Sequence, residues 1–325
     1  MYFIPEWAEP KSLVLVWPEG LCGRSHLVPF YLDLFSVIPK SIPVVLLVKQ
    51  KKLKTSALSA IHKINPRLEV TIHELPMVQD IWIRDWAPVV VKNESGKSAG
   101  IKAIYRPRYV PRSSASRLDD LAGTALASLL GLSLTNVPLV WDFGNLAYNG
   151  RGNAIITNRL IGENETLSID AIRNILHKKL EFARIIFIPV EPGDETGHTD
   201  GTIRFLDENR LLIAQYSKSY TLGHKFMEEQ MEFFSARLGV EMVRMSQPAP
   251  EDRMAEGIGS AVGCYINYMR YGNTVFMPNY GIRHDSKVNR ILRDAGMTVI
   301  PIRSRHINAL ARLGGVLNCI SWNLF

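Results

Sequence analysis

The sequence predicts a mixed α/β fold assembled from repeated strand–strand–helix–strand units. Short Val- and Ile-rich runs alternate with amphipathic stretches along the whole chain. The last five helical stretches recur at spacings of roughly 50–65 residues, with two or more strands in most intervals, which fits a repeated unit better than a doubly wound sheet. No linker rich in Pro, Gly or Ser divides the 325 residues, so one domain over 1–325 is expected. The nearest candidate break, 107–116, is short and basic and reads as a surface loop.

In chain order, strand-like runs fall at 13–17, 44–48, 70–75, 88–91, 140–142, 185–188, 201–205, 211–216, 265–268, 274–277, 298–302 and 316–320. Most are β-branched, and many are bounded by Pro, Gly or Asn, which end strands. Helical patterns lie near 25–37, 54–64, 117–131, 168–180, 222–238 and 285–295. Ser168 and Asp285 are candidate N-caps, with a side-chain oxygen to meet free N–H groups. Gly239 and Gly296 stand where a helix would turn into left-handed backbone.

Composition narrows the function. Hydrophobic residues make up 46% and charged residues 21%, so the chain builds a core and is not disordered. The formal charge of +7 is spread along the sequence rather than gathered into a nucleic-acid patch. Its one dense run, Lys49 to Lys54, opens a helix and reads as a solvated face. No stretch reaches the roughly 18 apolar residues of a membrane span, and no signal-peptide pattern opens the chain. Cys22, Cys264 and Cys319 form no pair at disulfide-framework or CxxC spacing. That usage fits a reducing compartment, and the cytoplasm is expected.

Four stretches carry chemistry. Cys319 follows Gly314 and Gly315, whose flexibility lets backbone approach a ligand. His198 and Asp200 lie two apart, so in extended chain they share a face. Asp85 follows Trp82, Ile83 and Arg84, and Trp82 could cover a flat cation. Asp142 precedes Phe143, Gly144 and Asn145 at a strand end, and Asn267 interrupts the apolar run 265–268. A thiol, an imidazole and several carboxylates are the groups needed to attack a guanidinium carbon. Carboxylates accept paired N–H bonds from the planar cation, a thiolate attacks, and an imidazole moves protons near neutral pH. No metal or other cofactor is required. A zinc reading of His198 and Asp200 lacks a second nearby His. Each stretch also has a plain structural reading: a core cysteine, a polar loop, a surface ion pair or a turn. Cys22 and Cys264 keep the reading of buried core thiols.

Taken together and in this order, these stretches resemble the agmatine deiminase / bacterial (Porphyromonas-type) peptidylarginine deiminase family of guanidine-modifying enzymes. The family carries Trp-x-Arg-Asp-x-x-Pro, then an acid–Gly–Gly–Asn/Ser stretch, Gly-His-x-Asp, and a Gly-Gly stretch ending in the catalytic Cys. Pro5-Glu6-Trp7 and Leu15-Val16-Trp17-Pro18 resemble its opening, so the match spans nearly the whole chain. The resemblance implies the pentein fold, a five-bladed pseudo-symmetric α/β propeller with a central active site. It implies Cys319 as nucleophile, His198 as general acid/base, and Asp85 and Asp200 as guanidinium carboxylates. Trp82, Asp142, Asn267, Asn145 and Gly315 become substrate-binding positions. The implied partner is a small guanidino substrate, with no nucleic acid and no membrane, and homo-oligomers are frequent in the family. The sequence departs from the pattern at Phe143, where Gly is usual, at Asn318, where His is common, and in its short tail after Cys319. Phe143 and Asn318 are expected near the substrate channel. Other readings are a deiminase of peptidyl-arginine or another guanidine, an amidinotransferase, and a silent pentein used for binding. A papain-like protease fits poorly, because its Cys would precede its His.

Overall fold

The computed structural model describes residues 1–109, 114–251, 254–255 and 257–325. Within them the chain forms five sheets with one shared plan, plus a short hairpin of Met254–Ala255 and Ile258–Gly259. In each sheet a first strand pairs antiparallel with a second. A helical crossover then returns the chain to a third strand parallel to the second, as parallel pairing requires.

The plan repeats with different sequences. Val89–Lys92, Ser98–Ile104 and Ser133–Val140 are linked through the helix Ser114–Leu129. Ala147–Tyr148, Asn153–Thr157 and Arg184–Ile188 are linked through Arg159–Glu163 and Ile169–Leu180. Ile203–Phe205, Arg210–Tyr216 and Glu241–Gln247 use Thr221–Leu238. Met269–Tyr271, Thr274–Asn279 and Thr298–Arg303 use His284–Asp294. The remaining sheet joins the two ends of the chain. Ser321–Leu324 pairs antiparallel with Ser12–Val16, which continues through Val28–Val37 to Val44–Val48 and through Leu53–Ile64 to Val70–Glu74. Tyr2–Phe3 adds an edge to Val89–Lys92.

Local chemistry explains individual elements. Val44–Val48 is buried at every position, as a central parallel strand should be. The helix Ile169–Leu180 opens on Ser168, whose hydroxyl accepts the Ala171 N–H at 3.1 Å. It buries Ile172, Leu176 and Leu180, one face at four-residue spacing. Asp285 stands inside its helix rather than at the cap. Its carboxylate instead accepts the backbone N–H groups of Tyr280, Gly281 and Ile282, holding the entering loop. Gly239 and Gly296 both take left-handed φ at helix ends, as expected.

Several expectations shift. Residues 316–320 are not a strand but a turn preceding Ser321–Leu324, and 265–268 bend ahead of Met269–Tyr271. Of the run 140–142 only Val140 is strand, the last residue of Ser133–Val140, and Trp141 and Asp142 lie beyond it. Asp85 lies in the single helical turn Ile83–Trp86. Part of 107–116, namely 110–113, lies outside the described residues. No described helix is long and apolar enough to cross a membrane.

Candidate active site

The shared plan places the chemistry. In each of the five sheets, the segment just ahead of the first strand delivers one or two polar side chains to a common centre. Cys319 precedes Ser321–Leu324, Asp85 precedes Val89–Lys92, and Asp142 precedes Ala147–Tyr148. His198 and Asp200 precede Ile203–Phe205, and Asn267 precedes Met269–Tyr271. All six are buried. Asp200 arrives on the short helical turn Thr199–Gly201, not by strand alternation with His198.

The imidazole of His198 is the hub. Its Nε2 lies 2.9 Å from Asp142 Oδ2, and its Nδ1 lies 3.7 Å from Asp85 Oδ1. The Tyr109 hydroxyl donates to Asp142 Oδ2 at 2.6 Å and sits 3.2 Å from His198 Nε2. Burial works against a charged imidazole, but the carboxylates of Asp142, Asp85 and Asp200 outweigh it and raise its pKa well above the usual value. Burial alone would raise Asp142, yet the facing His198 and the hydrogen bonds from His198 and Tyr109 hold it below the ordinary range. Asp85 is pushed up to about 7 by burial, against the pull of His198 and with the push of Asp142 and Asp200. Burial also raises Asp200, opposed by His198 and by the Asn318 amide.

Cys319 is held by its own turn. Asn267 Oδ1 accepts from the backbone N–H groups of Val316, Asn318 and Cys319 at 3.2, 3.1 and 3.4 Å. Its Nδ2 donates to the thiol sulfur at 3.2 Å. One side-chain amide therefore fixes the turn and touches the sulfur. Burial, then Asp200 and Asp85, raise the Cys319 thiol well above its ordinary pKa. The thiol is neutral while the site holds only its own acids. Asn318 Nδ2 donates to Asp200 Oδ2 at 2.6 Å and fixes that carboxylate beside the sulfur, 3.9 Å from it.

Two glycines make the packing feasible. A Cβ on Gly144 would fall on the His198 ring and 2.7 Å from Asp85 Oδ1, where the Gly144 N–H now donates at 3.2 Å. A Cβ on Gly315 would come within 2.6 Å of the Trp82 ring and 3.1 Å of Cys319 Sγ. Trp82, Asp85, Tyr109, His198, Gly315 and Cys319 line a cavity of about 310 Å³. A narrower one of about 150 Å³ meets it at His198, Gly315 and Cys319 and adds Asp200 and Asn267. Among the described residues, no group of His, Cys, Asp or Glu is arranged to hold a metal ion.

Some sequence expectations are corrected here. Asp142 lines neither cavity and meets His198 from behind. Asn145 also turns away, its Oδ1 accepting the Thr157 N–H at 2.8 Å. Phe143 packs on Trp141, with ring centroids 5.0 Å apart, and lines a separate small pocket. Asn318 does reach the site, through Asp200. Cys22 is exposed at the wider cavity rather than buried, and Cys264 is partly exposed beside the narrower one. Tyr109 was missed. It lies in a basic, Pro-interrupted stretch with no pattern pointing inward.

The chain matches the family model for Porphyromonas-type peptidyl-arginine deiminase over residues 2–324. It is 23% identical to the agmatine deiminase of Pseudomonas putida over 361 aligned positions, covering 97% of this chain and 93% of that one. The agmatine deiminase of C. jejuni superposes with a TM-score of 0.84 at 21% identity, covering 100% of this chain and 96% of that chain. An agmatine deiminase of Enterococcus faecalis, described as catalysing its reaction, gives 0.84 at 15% identity, with 99% and 95% covered. These likenesses show the mixed α/β fold, and the match over nearly all residues shows that the chain belongs to the Porphyromonas-type peptidyl-arginine deiminase family.

Proposed function

We propose that the protein is a cysteine-dependent deiminase of the agmatine deiminase type, converting agmatine to its ureido product and ammonia. The carrying observation is a buried thiol and imidazole surrounded by Asp85, Asp142 and Asp200. Three carboxylates sharing one site with a single imidazolium remain costly until a second cation joins them. A planar guanidinium supplies that charge and N–H donors for both Asp85 and Asp200. The C. jejuni enzyme with substrate bound also shares this fold, at a TM-score of 0.83.

In this reading the arriving cation offsets the acids that hold the thiol neutral, and Cys319 ionises, its proton passing to solvent. The thiolate attacks the guanidinium carbon. His198, protonated near neutral pH, gives its proton to the departing nitrogen, and ammonia leaves a thiouronium on Cys319. The now neutral imidazole takes a proton from water, which attacks the same carbon. As the C=O forms, the C–S bond breaks and the hydroxyl proton of the adduct passes to sulfur, so the ureido product departs and the thiol is restored. Tyr109 and Asp142 keep the ring oriented through both halves.

We further propose that the five sheets close as a pentein propeller, with 1–325 as one catalytic domain. Supporting this, five sheets repeat one plan and each sends residues to the same centre. Three unpaired cysteines suit a reducing cytoplasm.

The test is ureido-product formation by purified protein with agmatine, free arginine and a peptidyl-arginine, beside Cys319→Ala. Product from agmatine, absent in the variant, is expected. No product from any of the three would overturn the reading, and product from arginine or the peptide alone would reassign the substrate.

A further inference from the structure

The two cavities that meet at Cys319 differ in charge. The wider one includes Arg24 among its acids. The narrower is lined by Glu191, Asp194, Glu195, Asp200 and Glu251, and by no Lys or Arg among the described residues.

Each of these five carboxylates has a partner, but Glu191 keeps one buried oxygen without any. Asp194 Oδ1 accepts the N–H and hydroxyl of Thr196 at 2.9 and 2.6 Å. Glu195 Oε2 accepts the Gly259 N–H at 2.9 Å. Glu251 faces Arg312 at 3.3 Å and accepts the Ser260 hydroxyl at 3.1 Å. Asp200 holds Asn318. Glu191 differs, because its Oε1 is buried without a hydrogen-bond partner. Burial pushes its carboxyl up to about 8, against a Tyr216 hydrogen bond and with the push of Asp194. A buried acceptor left unpaired is costly, and a ligand that brings N–H donors and positive charge relieves that cost.

We propose that Glu191 is the specificity residue that binds the far, ammonium end of an ω-aminoalkyl guanidine whose guanidinium lies at Cys319. The inference rests on the guanidine-hydrolysis reading above and adds the chemistry of the other end of the substrate. It excludes free arginine for a stated reason: the α-carboxylate would enter a cavity whose charged side chains, other than His198 at its junction with the wider one, are acidic. Asp194 shapes the wall by holding its own loop and Glu195 by tying that loop to Gly259, while Glu191 carries the recognition.

The test compares agmatine with pentylguanidine, in which a methyl group replaces the ammonium, on wild type, Glu191→Gln and Glu191→Asp. The expected loss in kcat/KM for Glu191→Gln is about 30-fold or more on agmatine, the scale of a lost charge-assisted hydrogen bond. The loss on pentylguanidine is expected to be far smaller, and Glu191→Asp retains part of the preference for agmatine. Equal losses on both guanidines, or an unchanged agmatine rate, would overturn the assignment. If Glu191→Gln melts well below wild type, Glu191→Asp carries the comparison alone. If the protein hydrolyses no guanidine, binding of 1,5-diaminopentane to wild type and variant is measured by calorimetry. Weaker binding to the variant then upholds the cation site while the reaction reading fails. Equal binding, or none, overturns both.

Discussion

His198 draws its charge from three carboxylates that would repel one another without it. Asp142 gains from this arrangement and Asp85 does not, because Asp85 is pushed up to about 7 while Asp142 is held down. The folded pKa of Asp85 exceeds the roughly 3.9 of an unfolded Asp, so its ionisation costs stability that appears as pH rises from about 4 to about 7. Asp85→Asn fixes the neutral form. It is therefore expected to raise the melting temperature above pH 7 and to change it little near pH 4. Its kcat/KM should fall by about 30-fold to several thousandfold, from loss of a buried charged contact worth roughly 2–5 kcal/mol. Melting curves at pH 4 and 8, beside kinetics, check both signs. Tyr109→Phe removes the hydroxyl that donates to Asp142 at 2.6 Å. A fall in kcat of about tenfold is expected from one lost hydrogen bond of about 1–1.5 kcal/mol, with KM moving less. Single-residue identities at the centre were legible because Cys319, His198, Asp85 and Asp200 are chemically loaded types in short motifs. Tyr109 was not, since nothing local marks a tyrosine that bonds across 33 residues of sequence. Asn145 misled for the opposite reason: its amide serves the turn it sits in, as Asn commonly does.

The elements that matter most for the site are short connectors rather than strands. The turn carrying Cys319 is fixed by Asn267 from another sheet, which is why the apolar run 316–320 misread as a strand. Gly315→Ala tests the tightness of that turn. With a Cβ 2.6 Å from Trp82 and 3.1 Å from the sulfur, the variant should lose stability by about 1–3 kcal/mol, the usual cost of overpacking, and lose most activity. Ser168→Ala is the contrast. It removes the one cap bond at 3.1 Å, so denaturant unfolding should show a loss of about 1 kcal/mol with activity preserved. Long helices were read well because their apolar faces repeat at helical spacing. The strands Ser98–Ile104 and Glu241–Gln247 escaped because Gly, Lys, Arg and Glu break their alternation.

At the scale of the molecule, each sheet brings at least one polar residue to one place, and the two chain ends are paired within one sheet. The repeat was visible in helix spacing, but its closure through Ser321–Leu324 and Ser12–Val16 links segments about 300 positions apart, beyond any local pattern. Arg204 ties distant parts together. It pairs with Glu6 at 2.7 Å and stacks on Tyr268, its guanidinium carbon 4.1 Å from the ring centre. Arg204→Ala should cost about 3–5 kcal/mol by leaving Glu6 without its buried partner, seen as a lower denaturant midpoint. The central claim is that all this scaffolding presents Cys319 to a guanidinium carbon. The most direct measurement is peptide-mapped mass spectrometry of protein acid-quenched during turnover of agmatine labelled with carbon-13 at the guanidino carbon. The account predicts the label on Cys319, as agmatine less ammonia, and label-free protein once substrate is exhausted. Labelled ureido product accumulating with no label on Cys319 at any time, or with label on another residue, would contradict it.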